Sequence, residues 1–400
     1  MYLDLAASPA LSQLVAWLRP TAARPAAACY VQRAGRLILD GEGRPMQLRG
    51  MNLSGWLSWE GWLMGGGQLA DSTIDARLRQ VLGDVEAERF RAAYADTFIG
   101  EADIARIAKL GYNVVRVPIN YRVLATPGGN GTDGWPLLDR LLDWCEQYHI
   151  YVILDLQAAP GGQSPLFTAD PTAGGSLWTS PARKAETVAL WKRIAQQYRD
   201  RTIVAGYDLL NEPIPSDSRA LLGLYRQLVS AIRAVDPYHL LILEGSNRSR
   251  DLSLFAESLT VNQLLSFHLH QPNAAARQQL LSAYAKQSEA QHMPVWNGEF
   301  GEDGYEIVKG ALVALTDPRY GIAGQCFWNW KMAPNVHPGL QLVQVSPGWI
   351  AVVAWMSLPE KYPQPTHAAA LAAAHEYLTA LPLANCSEDR WMAQVLAMAQ

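Results

Sequence analysis

Eight short apolar runs, each followed by a longer segment of helical period, recur along the chain at nearly even spacing. They are MQLRGMN (46–52), NVVRVP (113–118), YVILDL (151–156), IVAGYDLL (203–210), LLILE (240–244), LLSFH (264–268), PVWNGE (294–299) and GQCFWNW (324–330). Short β-branched or leucine-rich runs suit strands covered on both faces, and the helical segments between them are long enough to cross from one parallel strand to the next. From residue 46 to residue 324 there are seven steps of about 40 residues each, which matches a (β/α)8 barrel of ordinary size. The helical segments agree. Leu221, Leu224, Tyr225, Leu228, Val229 and Ile232 make one apolar face that can cover a sheet, and Leu138, Leu141, Leu142 and Cys145 repeat the pattern after Pro136, a residue suited to a first turn. The expected fold is α/β, a single (β/α)8 TIM barrel in one domain. Barrel motifs span residues 46–335, an N-terminal extension occupies 1–45, and a last helix with a C-terminal helical extension occupies 336–400.

Within the N-terminal extension, GRLILDGEGRPMQL is expected to form a hairpin turning on Asp40-Gly41. The Gly-rich stretches MGGG (64–67) and TPGGNGTDG (126–134) fall between a strand and its helix, where barrel loops belong. With 49% apolar residues in 400, the chain can bury a large core. A net charge of −4 and the lack of any run of five basic residues exclude an electrostatic grip on nucleic acid. Cys29, Cys145, Cys326 and Cys386 lack metal or redox spacing and are expected to be buried free thiols. Asp4, with no Lys or Arg before Arg19, opposes a secretory signal, and no stretch reaches the roughly 18 to 20 apolar residues of a membrane span. A cytoplasmic protein without a membrane span is expected.

In such a barrel, chemistry is done at the C-terminal ends of the strands. Polar residues close the apolar runs there: Arg116 on the second, Gln157 after the third, Asn211 and Glu212 on the fourth, His268 on the sixth, Glu299 on the seventh and Trp328 on the eighth. Pro213 blocks the ladder beyond Glu212. Two carboxylates therefore enter one mouth from nearly opposite sides. Cleavage of a glycosidic bond needs such a pair, one group to protonate the leaving oxygen and one to attack or to activate water.

The motifs GMNLSGW, NVVRVP, YVILDLQAAPGGQ, YDLLNEP, FHLH, WNGEFGE and FWNWK, in this order over residues 46–335, resemble those of glycoside hydrolase family 5, the retaining β-glycosidases and cellulases on a TIM barrel. The resemblance implies that Glu212 is the general acid/base, Glu299 the nucleophile and Asn211 the partner of the sugar 2-hydroxyl. It places Arg116 beside the nucleophile, His268 along the subsite before the scissile bond, and Trp328 as its stacking platform, with Trp330 as the second choice. Two positions depart from the family pattern: Gln157 stands where a His is usual, and His270 where a Tyr is usual. Gln keeps a donor and an acceptor, while His270 brings a pH dependence that Tyr lacks. Glu299 is expected to be ionised beside Arg116, and Glu212 to carry a proton.

Trp56, Trp59 and Trp62 cluster after the first strand, and indole faces pack on pyranose rings. Trp59 is taken as the sugar contact. Glu60 resembles the acidic residue by which the exo-β-1,3-glucanase branch holds a terminal sugar. The expected substrate is a β-linked oligo- or polysaccharide, with glucosides or β-glucan oligosaccharides first and β-mannan or glycolipid-type β-glycosides as alternatives. No motif implies a metal or other cofactor. A metal hydrolase built on His268, His270 and Glu299 would need a further ligand motif and would be sensitive to chelators. A non-catalytic sugar-binding barrel would have no need of both carboxylates.

Overall fold

The computed structural model of the protein describes residues 29–125, 133–171, 176–301, 304–334 and 339–398. Residues 1–28 of the N-terminal extension, most of TPGGNGTDG and Glu302 of WNGEFGE lie outside these residues.

All eight runs are strands of one closed parallel barrel: β1 (Leu48–Asn52), β2 (Val114–Asn120), β3 (Tyr151–Ala158), β4 (Val204–Asp208), β5 (Leu240–Glu244), β6 (Gln263–His268), β7 (Val295–Phe300) and β8 (Gly324–Phe327). The last strand closes on the first, with Gly324 opposite Leu48 and Phe327 opposite Met51. Gly324 sits at φ 126°, and a Cβ there would lie 2.1 Å from the Leu48 carbonyl oxygen, so glycine is required at this seam.

Side chains inside the barrel change character with height. At the N-terminal end Leu48, Val114, Ile153, Leu240, Leu264 and Trp296 form an apolar floor, onto which Val31, Ile38 and Met46 of the N-terminal segment pack. Higher up, the inward positions become polar and meet at Arg116. The N-terminal segment forms a three-stranded antiparallel sheet. Its second turn differs from the expected one. Leu39 pairs with Pro45, leaving a five-residue loop, Asp40–Arg44, in which the Asp40 carboxylate accepts from the N–H groups of Glu42 and Arg44 and the left-handed residue is Gly43 (φ 79°).

The expected apolar helical faces are realised in Gly134–Tyr148 and Ser218–Arg233. Between β5 and β6, however, residues 245–262 contain no covering helix but a single short turn, Ser246–Ser249, whose backbone is left-handed from Asn247 on, in the polar stretch GSNRSRDLS. The C-terminal part has the expected helices, Pro347–Ser357, His367–Ala380 and Arg390–Ala397. It also has a small sheet of Lys331–Met332, Gln341–Val343 and Cys386–Glu388, whose strands are too short to leave a period in the sequence. All four cysteines are free. Cys145 and Cys326 are buried, whereas Cys29 is exposed and Cys386 half-buried, against expectation. No described helix is long and apolar enough to cross a membrane.

Candidate active site

Arg116 does not end its strand. It points into the barrel from the middle of β2, fully buried, and organises the site. Its Nε–H donates to Asp208 at 2.9 Å, and Nη1 donates to Glu299 at 2.6 Å and to Asn52 at 3.1 Å. Nη2 donates to Asn211 at 3.0 Å and to Glu244 at 3.1 Å, and lies 3.0 Å from Asp155 outside hydrogen-bond alignment. One guanidinium thus faces the carboxyl groups of Asp155, Asp208, Glu244 and Glu299. These groups cannot all carry charge in a dry interior. Burial and the neighbouring acids hold Asp155 and Asp208 well above the usual carboxylate range, despite the attraction of Arg116. Burial also pushes Glu299 up, but His268, Arg116 and His270 overrule it and bring its carboxyl down to about 2.

Glu212 leaves β4 in the left-handed region, at φ 45°, a conformation that costs a non-glycine residue about 1–2 kcal/mol. Its N–H is captured by Glu244 Oε2 at 2.6 Å, and Ser249 Oγ donates to the same oxygen. Glu244 thereby links the backbone of Glu212 to Arg116. The His268 ring completes the link, with Nδ1 3.2 Å from Glu212 Oε1 and 3.5 Å from Glu299 Oε2, and Nε2 3.1 Å from Glu244 Oε1. Burial disfavours charge on this ring, but the carboxylates at both nitrogens dominate and hold it protonated well above the ordinary histidine value. His270 Nε2 lies 3.8 Å from Glu212 and 3.7 Å from Glu299. The consequence for Glu212 contradicts the sequence expectation. Burial raises its proton affinity, yet the bond and charge of His268, with His270, bring it below the ordinary value, so Glu212 is an anion at neutral pH.

A cavity of about 310 Å³ opens at the mouth, lined by Glu60, Trp62, Gln68, Phe167 and Arg248. Glu60 is buried in its wall, where Trp62 Nε1–H donates to it at 2.7 Å and Gln157 Nε2–H at 3.3 Å. The other amide atom of Gln157, Oε1, is buried without a hydrogen-bond partner and can accept from a ligand hydroxyl.

The tryptophans are distributed differently from expectation. Trp59 is 2% exposed, with Arg91 stacked 3.8 Å above its ring and Phe90 and Tyr94 at its edges, so it belongs to the outer core. Trp62 is the loop tryptophan that lines the cavity. Trp330 is fully buried with its N–H on Asp103 at 2.8 Å and offers no platform. Trp328 is 2% exposed against Leu63 and Met332, with Trp62 packed alongside.

The family model for cellulase, glycosyl hydrolase family 5, matches residues 39–333, and this range contains every residue of the cluster. The chain belongs to glycosyl hydrolase family 5. A β-xylosidase of Phanerodontia chrysosporium is 34% identical over 293 residues, covering 68% of this chain and 61% of that protein. Endoglucanase C of Acetivibrio thermocellus is 30% identical over 188 residues, 46% of this chain and 53% of the relative. The chain therefore spans about half to three-fifths of the length of the curated relatives it matches. Among solved structures, the rutinosidase of Aspergillus niger superposes with a TM-score of 0.56 at 16% identity, covering 74% of this chain and 92% of that one, a likeness of fold.

For a family 5 chain, the residues that the strand ends did not reveal are Asn52, Asp155, Asp208 and Glu244. Glu244 closes the LLILE run and could have been collected by the same rule as the others. Asp155 and Asp208 stand as single charges inside apolar runs, a signal that reads equally as a strand edge. Glu212, His268, His270 and Glu299 also bring donor atoms within 4.8 Å of one another. A divalent cation would need lone pairs on both histidines, whereas His268 faces carboxylates through both nitrogens and is held protonated. In the buried trio of Asp155, Asp208 and Glu244, the cationic position is taken by the Arg116 guanidinium.

Proposed function

We propose that this family 5 chain is a retaining β-glycosidase acting on β-linked glucosides or short β-glucan oligosaccharides. The observation that carries the reading is the pairing of Glu212 and Glu299, one oxygen of each lying within 4.8 Å of one of the other, both beside His268 Nδ1. A retaining enzyme needs its carboxyl groups about 5 to 5.5 Å apart, an inverting one roughly 6.5 to 9.5 Å, with room for water between them. Glu299, kept ionised by Arg116 and His268, attacks the anomeric carbon and forms a glycosyl ester. The protonated form of Glu212 gives its proton to the departing oxygen, and the resulting carboxylate takes one back from the water that hydrolyses the ester. The change of role follows from charge. Repulsion from ionised Glu299 raises the proton affinity of Glu212 before attack, and esterification removes that repulsion. Asn211, fixed by Arg116, holds the 2-hydroxyl.

The wall formed by Glu60, Trp62 and Gln157 supports capture of a terminal sugar, and hence exo action. The identity to a β-xylosidase makes β-xylosides a necessary member of any substrate panel. The test is a set of aryl β-glycosides and defined oligosaccharides with product anomers followed by NMR. Release of a β-configured sugar from the chain end is expected. An α product, or cleavage only inside long chains, would contradict the mechanism or the exo habit respectively.

A further inference from the structure

The two oxygens of Glu212 face different surroundings. Oε1 lies on the side of His268 and the nucleophile, whereas Oε2 accepts from Arg248 Nε–H at 3.0 Å on the side of the mouth cavity. Arg248 comes from the β5–β6 connection, where three successive residues, Asn247, Arg248 and Ser249, hold φ of 55°, 58° and 57°. Such a run of left-handed non-glycine residues persists only where its surroundings impose it. Here Ser249 is tied to Glu244, and Ser246 to Asp251 through paired backbone bonds. The segment therefore presents Arg248 to the carboxylate under constraint at its base. Its side chain remains 36% exposed, against 5% for that of Glu212.

An acid that donates to a glycosidic oxygen must carry its proton on the oxygen facing the substrate. A guanidinium N–H and a carboxyl proton cannot both occupy that position. Among the described residues, the charged groups facing Glu212 are His268 and His270 from the β6 end, Glu299 from β7, Glu244 at its backbone N–H, and Arg248. Of these, Arg248 alone meets Oε2. We infer that Arg248 is a specificity-determining residue on the leaving-group side, which bonds Glu212 Oε2 and is displaced by leaving groups whose hydroxyls accept its guanidinium.

The inference rests on the glycosidase reading and narrows its substrate class. In this cavity a displaced guanidinium finds apolar Leu166, Phe167 and Trp62 and one carboxylate, Glu60, whose two oxygens already accept from Trp62 and Gln157, so a sugar supplies acceptors that an alkyl or aryl group does not. The enzyme then favours a saccharide leaving group.

Arg248→Gln and Arg248→Lys are compared with wild type on a β-linked disaccharide and on an aryl β-glycoside of the same glycone, across pH. In Arg248→Gln the ratio of kcat/KM, disaccharide to aryl glycoside, is expected to fall about tenfold, the worth of one charge-assisted hydrogen bond. Arg248→Lys restores part of it. The basic limb of the kcat/KM profile moves to higher pH, because Glu212 keeps its proton longer without the cation. A ratio at the wild-type value, or an unmoved limb, overturns the inference while wild-type turnover keeps the glycosidase reading. Wild-type inactivity on both substrates and on the whole glycoside panel overturns that reading itself.

Discussion

Glu244 Oε2 accepts the backbone N–H of Glu212 at 2.6 Å, and its Oε1 lies 3.1 Å from both Arg116 Nη2 and His268 Nε2. A residue outside the catalytic pair thus holds one acid by its backbone and the supports of the other by charge. Glu244→Ala is expected to lower kcat on aryl β-glycosides by about 10²-fold or more with little change in KM, since positioning and not substrate contact is lost. It also leaves Arg116 and His268 short of a buried counter-charge, at a cost of about 3 kcal/mol or more in unfolding. Glu244→Gln keeps an acceptor for the Glu212 N–H and should lose less of both. Steady-state kinetics and thermal melts separate the two effects.

The charges of Glu299 and His268 act in opposite pH windows. Glu299 titrates at about 2, below its ordinary 4.5, so its contribution to stability is present above 4.5 and is lost as pH falls toward 2. The acidic limb of kcat/KM should accordingly lie below the ordinary glutamate value, read from initial rates in overlapping buffers. His268 is raised, so its contribution is full below the ordinary histidine value and declines as pH climbs through its raised one. The gap in melting temperature between wild type and His268→Gln should be widest in acid and neutral buffer and narrow in the alkaline range.

Two tryptophans three residues apart should behave oppositely. Trp59→Ala removes a core ring and the face on which Arg91 stacks, and is expected to cost about 3–5 kcal/mol in stability. Trp62→Ala removes a cavity wall and a donor to Glu60, and should raise KM several-fold while moving the melting temperature little. Denaturant unfolding and Michaelis constants for the pair test the assignment.

The barrel was legible because each strand buries both faces and so prints an unbroken apolar run, and because Leu221 through Ile232 repeat at helical spacing. Glu212 and Glu299 were legible for the same reason, as acids that interrupt such runs at their ends. What surrounds them was less so. Choosing among Trp56, Trp59 and Trp62 depends on how a loop coils, and the 3-10 turn at Gly61–Met64 turns Trp62, and not Trp59, to the cavity. The lowered proton affinity of Glu212 depends on His268 and His270 converging on it from far along the chain, which no local pattern records. The short Ser246–Ser249 turn in place of a covering helix was hidden because strand spacing alone does not say what fills the gap.

The central claim is that Glu299 attacks the sugar. Incubation with an activated aryl β-glycoside bearing fluorine beside the anomeric carbon, which slows breakdown of a glycosyl ester, followed by peptide mass mapping, tests it directly. The account predicts a glycosyl mass increment on the peptide containing Glu299, absent in Glu299→Gln and when substrate is withheld. An adduct on another residue, or rapid turnover of the reagent with an α-configured product and no adduct at all, would contradict it.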